Sequence, residues 1–504
     1  MALQTQTTPD GYLLILAIML PVAGILLSLI FGRWVERIAL VLLALSFGAA
    51  AAVFAAVWQS GRPVIYVVGG WAPPLGIVLR ADGLSAAMMM TAAIIICATG
   101  AFAKGEFAEP SRQAEARGPL VFWILLLAIW SALNAIVVGN DLFNLYVALE
   151  LLTFAAVPLV CLKGSAATVR AALRYLLFAL LGSILYLLGA VLIYGAYGTL
   201  DITLLSGRVG AEAVAAIAAA LMTVGLLAKT ALFPLHLWLP PAHAGAPAPG
   251  SAVLSALVVK GSFFLIVRLW FDAMPGLLTM AAAQLLATLG AAAILFGSVL
   301  ALRQQRLKLL IAYSTIAQIG YLFFLFPLGV GLAGSDASGA AWTGGWLQLF
   351  SHAFAKAAMF MAAGLIAEAL GHDRIAEFSG VGRAVPIPIV TFALAGLSLM
   401  GVPPSGGFVA KGLLLIAAVR AEQWWWAATI LVGGLLAGGY ILLVLGKALG
   451  SADRPLVLKG SPSRRRELIA LTVALAAVVL GLVPLRSSQL LEIGRLSAVG
   501  VALR

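Results

Sequence analysis

The stretch from Gly225 to Pro249, GLLAKTALFPLHLWLPPAHAGAPAP, places Lys229 inside an apolar helical run and follows it with five prolines and two histidines. Proline removes a backbone donor and clashes with the preceding turn, so a helix through this stretch must open. The reading turns on the medium around it. The chain is 504 residues long, 63% hydrophobic and only 10% charged, far from the quarter charged of an ordinary globular domain. A membrane-spanning helix needs about 20 apolar residues, and backbone in hydrocarbon must bond internally. The sequence therefore reads as an all-α polytopic membrane protein, with about fourteen apolar segments centred near Leu20, Leu45, Ala92, Leu127, Leu151, Leu181, Leu221, Phe263, Leu289, Ile319, Met359, Leu394, Leu435 and Leu475.

The net charge of +12 invites a nucleic-acid reading, which the placement of the cations excludes. The odd-numbered connections between segments hold 19 of the 31 lysines and arginines, and the even connections with both termini hold 8. Positive residues mark the cytoplasmic side, so both termini are expected outside, in a cell inner membrane. The remaining four, Lys229, Lys260, Lys356 and Lys411, fall within apolar segments. Four lysines at helix centres would cost roughly 10 to 14 kcal/mol on insertion scales, comparable with a protein's whole net stability of about 5 to 15 kcal/mol. Each must be hydrated, paired or neutral, and such a group can exchange protons. Snorkelling to the headgroups is the plainer alternative, strongest for Lys356.

A second broken segment, LSLMGVPPSGGFVAKGLLL from Leu397 to Leu415, carries Pro403, Pro404, Gly406 and Gly407 before Lys411; the first has Pro234, Pro240 and Pro241 after Lys229. The breaks lie five segments apart, each in the fourth helix of a five-helix unit. An odd helix number inverts successive units, so the expected organisation is N-terminal helices over 1–117, inverted repeats over 118–272 and 273–450, and a last helix with a tail over 451–504. Paired interruptions in an inverted repeat point to a site near the midplane.

Acids are scarcer. Glu150, in GNDLFNLYVALELLTF, reads as the one carboxylate clearly inside a segment, with Asp141 nearer its outer end. A lone buried glutamate beside a lysine suggests a gating ion pair, Glu150 with Lys229. His352 lies one turn from Lys356 on a shared face, His243 follows the first break where water could enter, and His372 sits in a charged connection. Histidine relays protons near neutrality. His236 and His352 could ligate a haem, although nothing else in the sequence supports one. Cys97 and Cys161 are far apart and form no Cys-x-x-Cys motif, so no iron–sulfur cluster, metal or other cofactor is expected. Between the second and third segments, RPVIYVVGGWAPPLGIVLRADG suggests a short hairpin.

DLFNLYVALELL, KTALFPLHLWLPPAHAGAPAP, LKLLIAYSTIAQIGYL, HAFAKAAMFMAAG and GVPPSGGFVAKGLLL resemble the antiporter-like subunits shared by respiratory complex I, membrane hydrogenases and Mrp-type sodium/proton antiporters, over roughly residues 70 to 450. GGWAPPLGIVLRADGLSA looks most like the Mrp D subunit. The resemblance implies fourteen helices and two inverted five-helix repeats, each holding a half-channel. It implies a Glu150–Lys229 gate, a central axis through Lys260 with His243 at its mouth, and a relay by His352 and Lys356 to Lys411. Where many relatives have histidine, this chain has Gln318, which cannot titrate. Partners would be other membrane subunits, protons, a monovalent cation such as sodium, and lipid. A chain without cofactors would not itself oxidise NADH. A solitary solute transporter would want one roomy site, whereas these ionisable groups are spread over five helices. A purely structural subunit leaves the cost of the lysines unexplained.

Overall fold

The computed structural model describes residues 6–104, 117–331, 336–451, 457–482 and 487–496. Arg112, the termini and parts of the third and thirteenth connections, on which the topology expectation partly rests, lie outside the described residues. Helices α1 (Tyr12–Ile30) and α2 (Val35–Ser60) lead into an antiparallel hairpin, β1 (Val64–Val67) with β2 (Val78–Ala81), in the register Val64↔Ala81. This is the hairpin expected between the second and third segments. Asp82 follows and caps α3 (Gly83–Ala103) by accepting the Ser85 N–H, meeting one of the four donors a helix start leaves open.

Next come α4 (Arg117–Val138), α5 (Leu142–Val160), α6 (Ala166–Tyr197) and α7 (Ala213–Thr230). After the first break, α8 (Leu239–Gly245) and α9 (Ala248–Ala273) resume the path. Then follow α10 (Met280–Leu302), α11 (Leu307–Gly331) and α12 (Asp336–Leu370). The second break divides α13 (Pro386–Met400) from α14 (Gly406–Arg420), and α15 (Trp424–Leu449), α16 (Arg464–Val479) and α17 (Ser487–Glu492) complete the order.

Among the described residues, twelve helices are long and apolar enough to span a membrane. The split pair α13–α14 and the 16-residue α16 fill the two remaining positions of the fourteen segments. The set α4 to α9 and the set α10 to α15 each comprise five passes with the broken helix fourth, so the two sets run in opposite senses.

Burial sorts these helices. The apolar window of α9 is entirely buried and those of α11 and α12 are 89% and 83% buried, whereas α1 and α15 are each only 33% buried. A helix that is apolar all round belongs in the interior, and α9, α11 and α12 form it. Polar side chains on these three helices can therefore meet one another and not lipid.

The first break opens earlier than Pro234 implies. Regular structure stops at Thr230, and Ala231 adopts a left-handed conformation with φ 58°. Pro240 and Pro241 sit in the first turn of α8, where a missing N–H costs no bond. In the second break Gly401 is left-handed at φ 83°, and the Ser405 hydroxyl restarts the helix by accepting the Phe408 N–H. Not legible in the sequence are two π-helical turns in α9, Leu254–Val258 and Arg268–Ala273.

Candidate functional site

Glu150 lies on α5 and Lys229 in the last turn of α7, where the negative end of the helix dipole favours a cation. The Lys229 Nζ donates to Glu150 Oε1 at 3.1 Å and to Thr153 Oγ1 at 2.9 Å. Ser183 of α6 donates to the same carboxylate oxygen. Close approach of α6 and α7 makes this possible: a Cβ on Gly225 would lie 2.3 Å from the Gly182 carbonyl oxygen, so only glycine fits that crossing.

From α7 the polar contacts pass inward. Thr230 Oγ1 donates to Ser262 Oγ of α9 at 3.0 Å. Lys260, two residues before Ser262, donates to the Ser255 carbonyl, which lies within the first π turn. The i→i+5 pattern of such a turn widens the ladder locally. The Ser255 hydroxyl meets Thr315 Oγ1 of α11 at 2.9 Å. Beside Thr315, Ser314 accepts from Lys356 Nζ at 2.5 Å, and the same amine reaches the Ile311 carbonyl at 3.0 Å.

One turn further along α11, Gln318 uses both ends of its amide. Its Oε1 accepts from Gln348 Nε2 at 3.0 Å, and its Nε2 donates to the Leu399 carbonyl at 3.0 Å and towards the Tyr440 hydroxyl at 3.4 Å. Lys411 Nζ donates to that same Leu399 carbonyl, an acceptor left open where α13 ends. The ammonium also stands 4.3 Å from the centroid of the Tyr321 ring, within cation–π range.

All four lysines are buried, Lys356 completely, so none snorkels. His352 and His243 are buried with both ring nitrogens unpartnered, and His243 stacks on Phe360 at 4.7 Å. An unpartnered buried imidazole keeps both a donor and an acceptor available. The axis therefore runs Glu150, Lys229, Lys260, Lys356, Gln318, Lys411, with neutral hydroxyls and amides between the amines.

Residues 139–437, which contain this whole axis, match the family described as NADH:quinone oxidoreductase/Mrp antiporter, TM. The chain belongs to that family. Similar curated proteins include NADH-quinone oxidoreductase subunit N of Desulforudis audaxviator, 34% identical over 71% of this chain and 70% of that one. The D subunit of the Na(+)/H(+) antiporter of Alkalihalophilus pseudofirmus is 30% identical over 72% and 71%. A chain of the Mrp complex from Dietzia sp. superposes with a TM-score of 0.86, covering 96% of each chain at 24% identity, a likeness of fold.

Within this NADH:quinone oxidoreductase/Mrp antiporter chain, two of the residues singled out in the sequence stand off the axis. Asp141 caps α5 by accepting the Phe143 and Asn144 N–H groups, each at 3.0 Å. Burial pushes its carboxyl up while those two bonds pull it down. His236 lies in the first break between the rings of Phe233 and Phe296.

A buried ionic cluster also corrects the sequence reading. Arg80 and Arg268, two of the eight cations counted from the sequence in the even connections and termini, are both buried. Asp82 takes Arg268 at 2.6 Å and Arg80 at 3.3 Å, and Arg268 also pairs with Asp272 at 2.7 Å. Asp272, in the second π turn, is a further carboxylate inside an apolar segment, so Glu150 is not alone. Burial opposes ionisation of Asp82, but Arg268 and Arg80 outweigh it and hold its carboxyl down at about 2. Asp82 and Arg268 are 186 residues apart, and no local spacing announces such a contact. The linking hydroxyls of Thr153, Ser183, Ser262, Ser255, Thr315 and Ser314 escape notice for the same reason. Serine and threonine are common in apolar helices, and only tertiary placement selects these.

Proposed function

We propose that the chain is the proton-translocating subunit of a multi-subunit cation/proton antiporter of the Mrp type, seated in a cell inner membrane with its odd-numbered connections cytoplasmic. One observation carries this: four buried amines lie along a nearly continuous series of hydrogen-bonding groups that crosses six helices, with a carboxylate at one end. Glu150 and Lys229 gate the first half-path. Lys260 continues it, with His243 at the side mouth. His352 and Lys356 pass protons past Gln318 to Lys411, which exchanges with the far side. Because Gln318 does not titrate, transfer at that point runs through water or through the Tyr440 hydroxyl. The breaks interrupt the helices beside Lys229 and Lys411, and irregular backbone at membrane depth is tolerated only within protein or beside water, which here would reach the amines. A monovalent cation such as sodium is the exchanged ion, and other membrane subunits complete the path.

The 34% identity to an NADH-quinone oxidoreductase subunit N favours a second reading, the membrane arm of a redox-driven pump. The axis serves either driver. Copurified subunits with flavin and iron would select the redox arm, and their absence together with sodium-dependent proton uptake would select the antiporter. The test of the common core is Lys411→Ala in everted vesicles with a pH-sensitive dye. Proton movement is expected to fall by about 10²-fold, the scale of losing a proton-transfer group, with the complex still assembled. Unchanged movement would overturn the proposal.

A further inference from the structure

Among the described residues, the odd-numbered connections border a hollow. A cavity of about 840 Å³ opens there, and its lining includes Ala244, Pro247 and Ala248, which follow His243 in the chain. Six basic side chains line it, Lys104, Lys163, Arg306, Lys308, Arg465 and Arg466, against two carboxylates. Both carboxylates are engaged: Asp373 holds Arg306 at 2.9 Å and Glu368 holds Arg466 at 2.6 Å. No carboxylate among the described residues pairs with Lys104, Lys163 or Arg465.

A topological bias puts cations on this side of the membrane, but it does not gather them round one concavity. Cations that merely meet headgroups stand on the rim of a protein. These arrive from the third, fifth, ninth and thirteenth connections and converge over a common space although like charges repel, with Lys308 and Arg465 further held by the Ala246 and Ala101 carbonyls. The excess is also misplaced for a path that admits protons, because a positive potential depletes the local cation concentration. An anion in the hollow removes both difficulties.

We infer that this vestibule binds a phosphate-bearing anion, either the headgroup of an acidic phospholipid or a soluble phosphate. A soluble phosphate monoester carries about −1.5 to −2 charges near neutrality and three strong acceptor oxygens, and a phosphodiester headgroup carries a lasting negative charge on its free oxygens; either is matched by several convergent lysine and arginine donors. The second pKa of a monoester is about 6, so a bound soluble phosphate takes up and releases protons in the vestibule, which a phosphodiester headgroup does not. That consequence rests on the proton-relay reading; the binding does not.

The test uses the full chain in lipid nanodiscs, with inorganic phosphate as the soluble probe and phosphatidylglycerol against pure phosphatidylcholine as the lipid probe. Binding is followed by phosphorus NMR and by native mass spectrometry. Lys163→Glu combined with Arg465→Glu is expected to weaken binding at least tenfold, and the pair changed to glutamine less so, while Lys447→Glu, outside the hollow, binds as the unmodified chain does. Retention of phosphatidylglycerol alone assigns a headgroup, and phosphate binding in phosphatidylcholine discs assigns a soluble anion. Binding indifferent to the Lys163 and Arg465 changes, or equally weakened by Lys447→Glu, overturns the site. Binding is also read in the Lys411→Ala chain, where it should persist, so failure of the proton reading and failure of this one are separable.

Discussion

The two broken helices solve one problem in different ways. At the first break the lysine precedes the interruption and meets a carboxylate, Glu150, with Thr153 as a second acceptor. At the second the lysine follows the interruption and meets only neutral acceptors, the Leu399 carbonyl and the Tyr321 ring. A counter-charge holds an ammonium; a carbonyl dipole stabilises it without cancelling its charge. The first arrangement suits a latch that stays charged until the pair is pulled apart. The second suits an amine that gives its proton away.

Replacing the two lysines separates these roles most sharply. Lys229→Met leaves the half-buried Glu150 without its counter-charge, which costs up to about 3 kcal/mol. Lys411→Met strands no charge. Thermal melts in detergent should therefore show a large loss for the first and little for the second, and equal losses would erase the distinction. A smaller effect is expected from Gly225→Ala, whose methyl would meet the Gly182 backbone and force α6 from α7, costing about 1 to 3 kcal/mol. Since Ser183 and Lys229 both reach Glu150 across that crossing, proton movement should fall with stability, whereas unaltered transport would show that the first break tolerates slack.

Asp82 supplies a reference outside both breaks. Its folded-state pKa of about 2 lies below the ordinary aspartate value of 3.8, so its contribution is fully present above about pH 4 and is lost as pH falls towards 2. A shift of that size corresponds to about 2 kcal/mol. Asp82→Asn should melt lower than the unmodified chain at pH 7, with the gap closing on acidification below pH 4, while transport keeps its pH profile. A gap that widens in acid would contradict the ion pairing drawn here.

Much of this is legible without the fold. Lysines in apolar runs and prolines five segments apart stand out in any chain, because each is costly where it sits and demands a reason. The positions of Lys229, Glu150, Lys356 and Lys411 follow from that cost alone. What joins them does not. Ser255 and Thr315 look like any small polar residues in an apolar helix, and Asp141 looks ionic until its oxygen is seen on the backbone of α5. Arg268 misleads because a segment end and a connection have the same composition there, and only the partner Asp82 distinguishes them.

The π turn before Lys260 has a further implication. A wide turn accommodates one residue more than the α pattern, and each residue rotates an α-helix by about 100°. Removing a single position from Leu254–Val258 would let the helix relax to regular winding with the downstream amine still facing the same helices, but without the opened turn whose Ser255 carbonyl accepts from Lys260. The surplus residue is thus absorbed within one turn, presenting a carbonyl to the central cation while leaving the hydrophobic faces above and below in register with their neighbours.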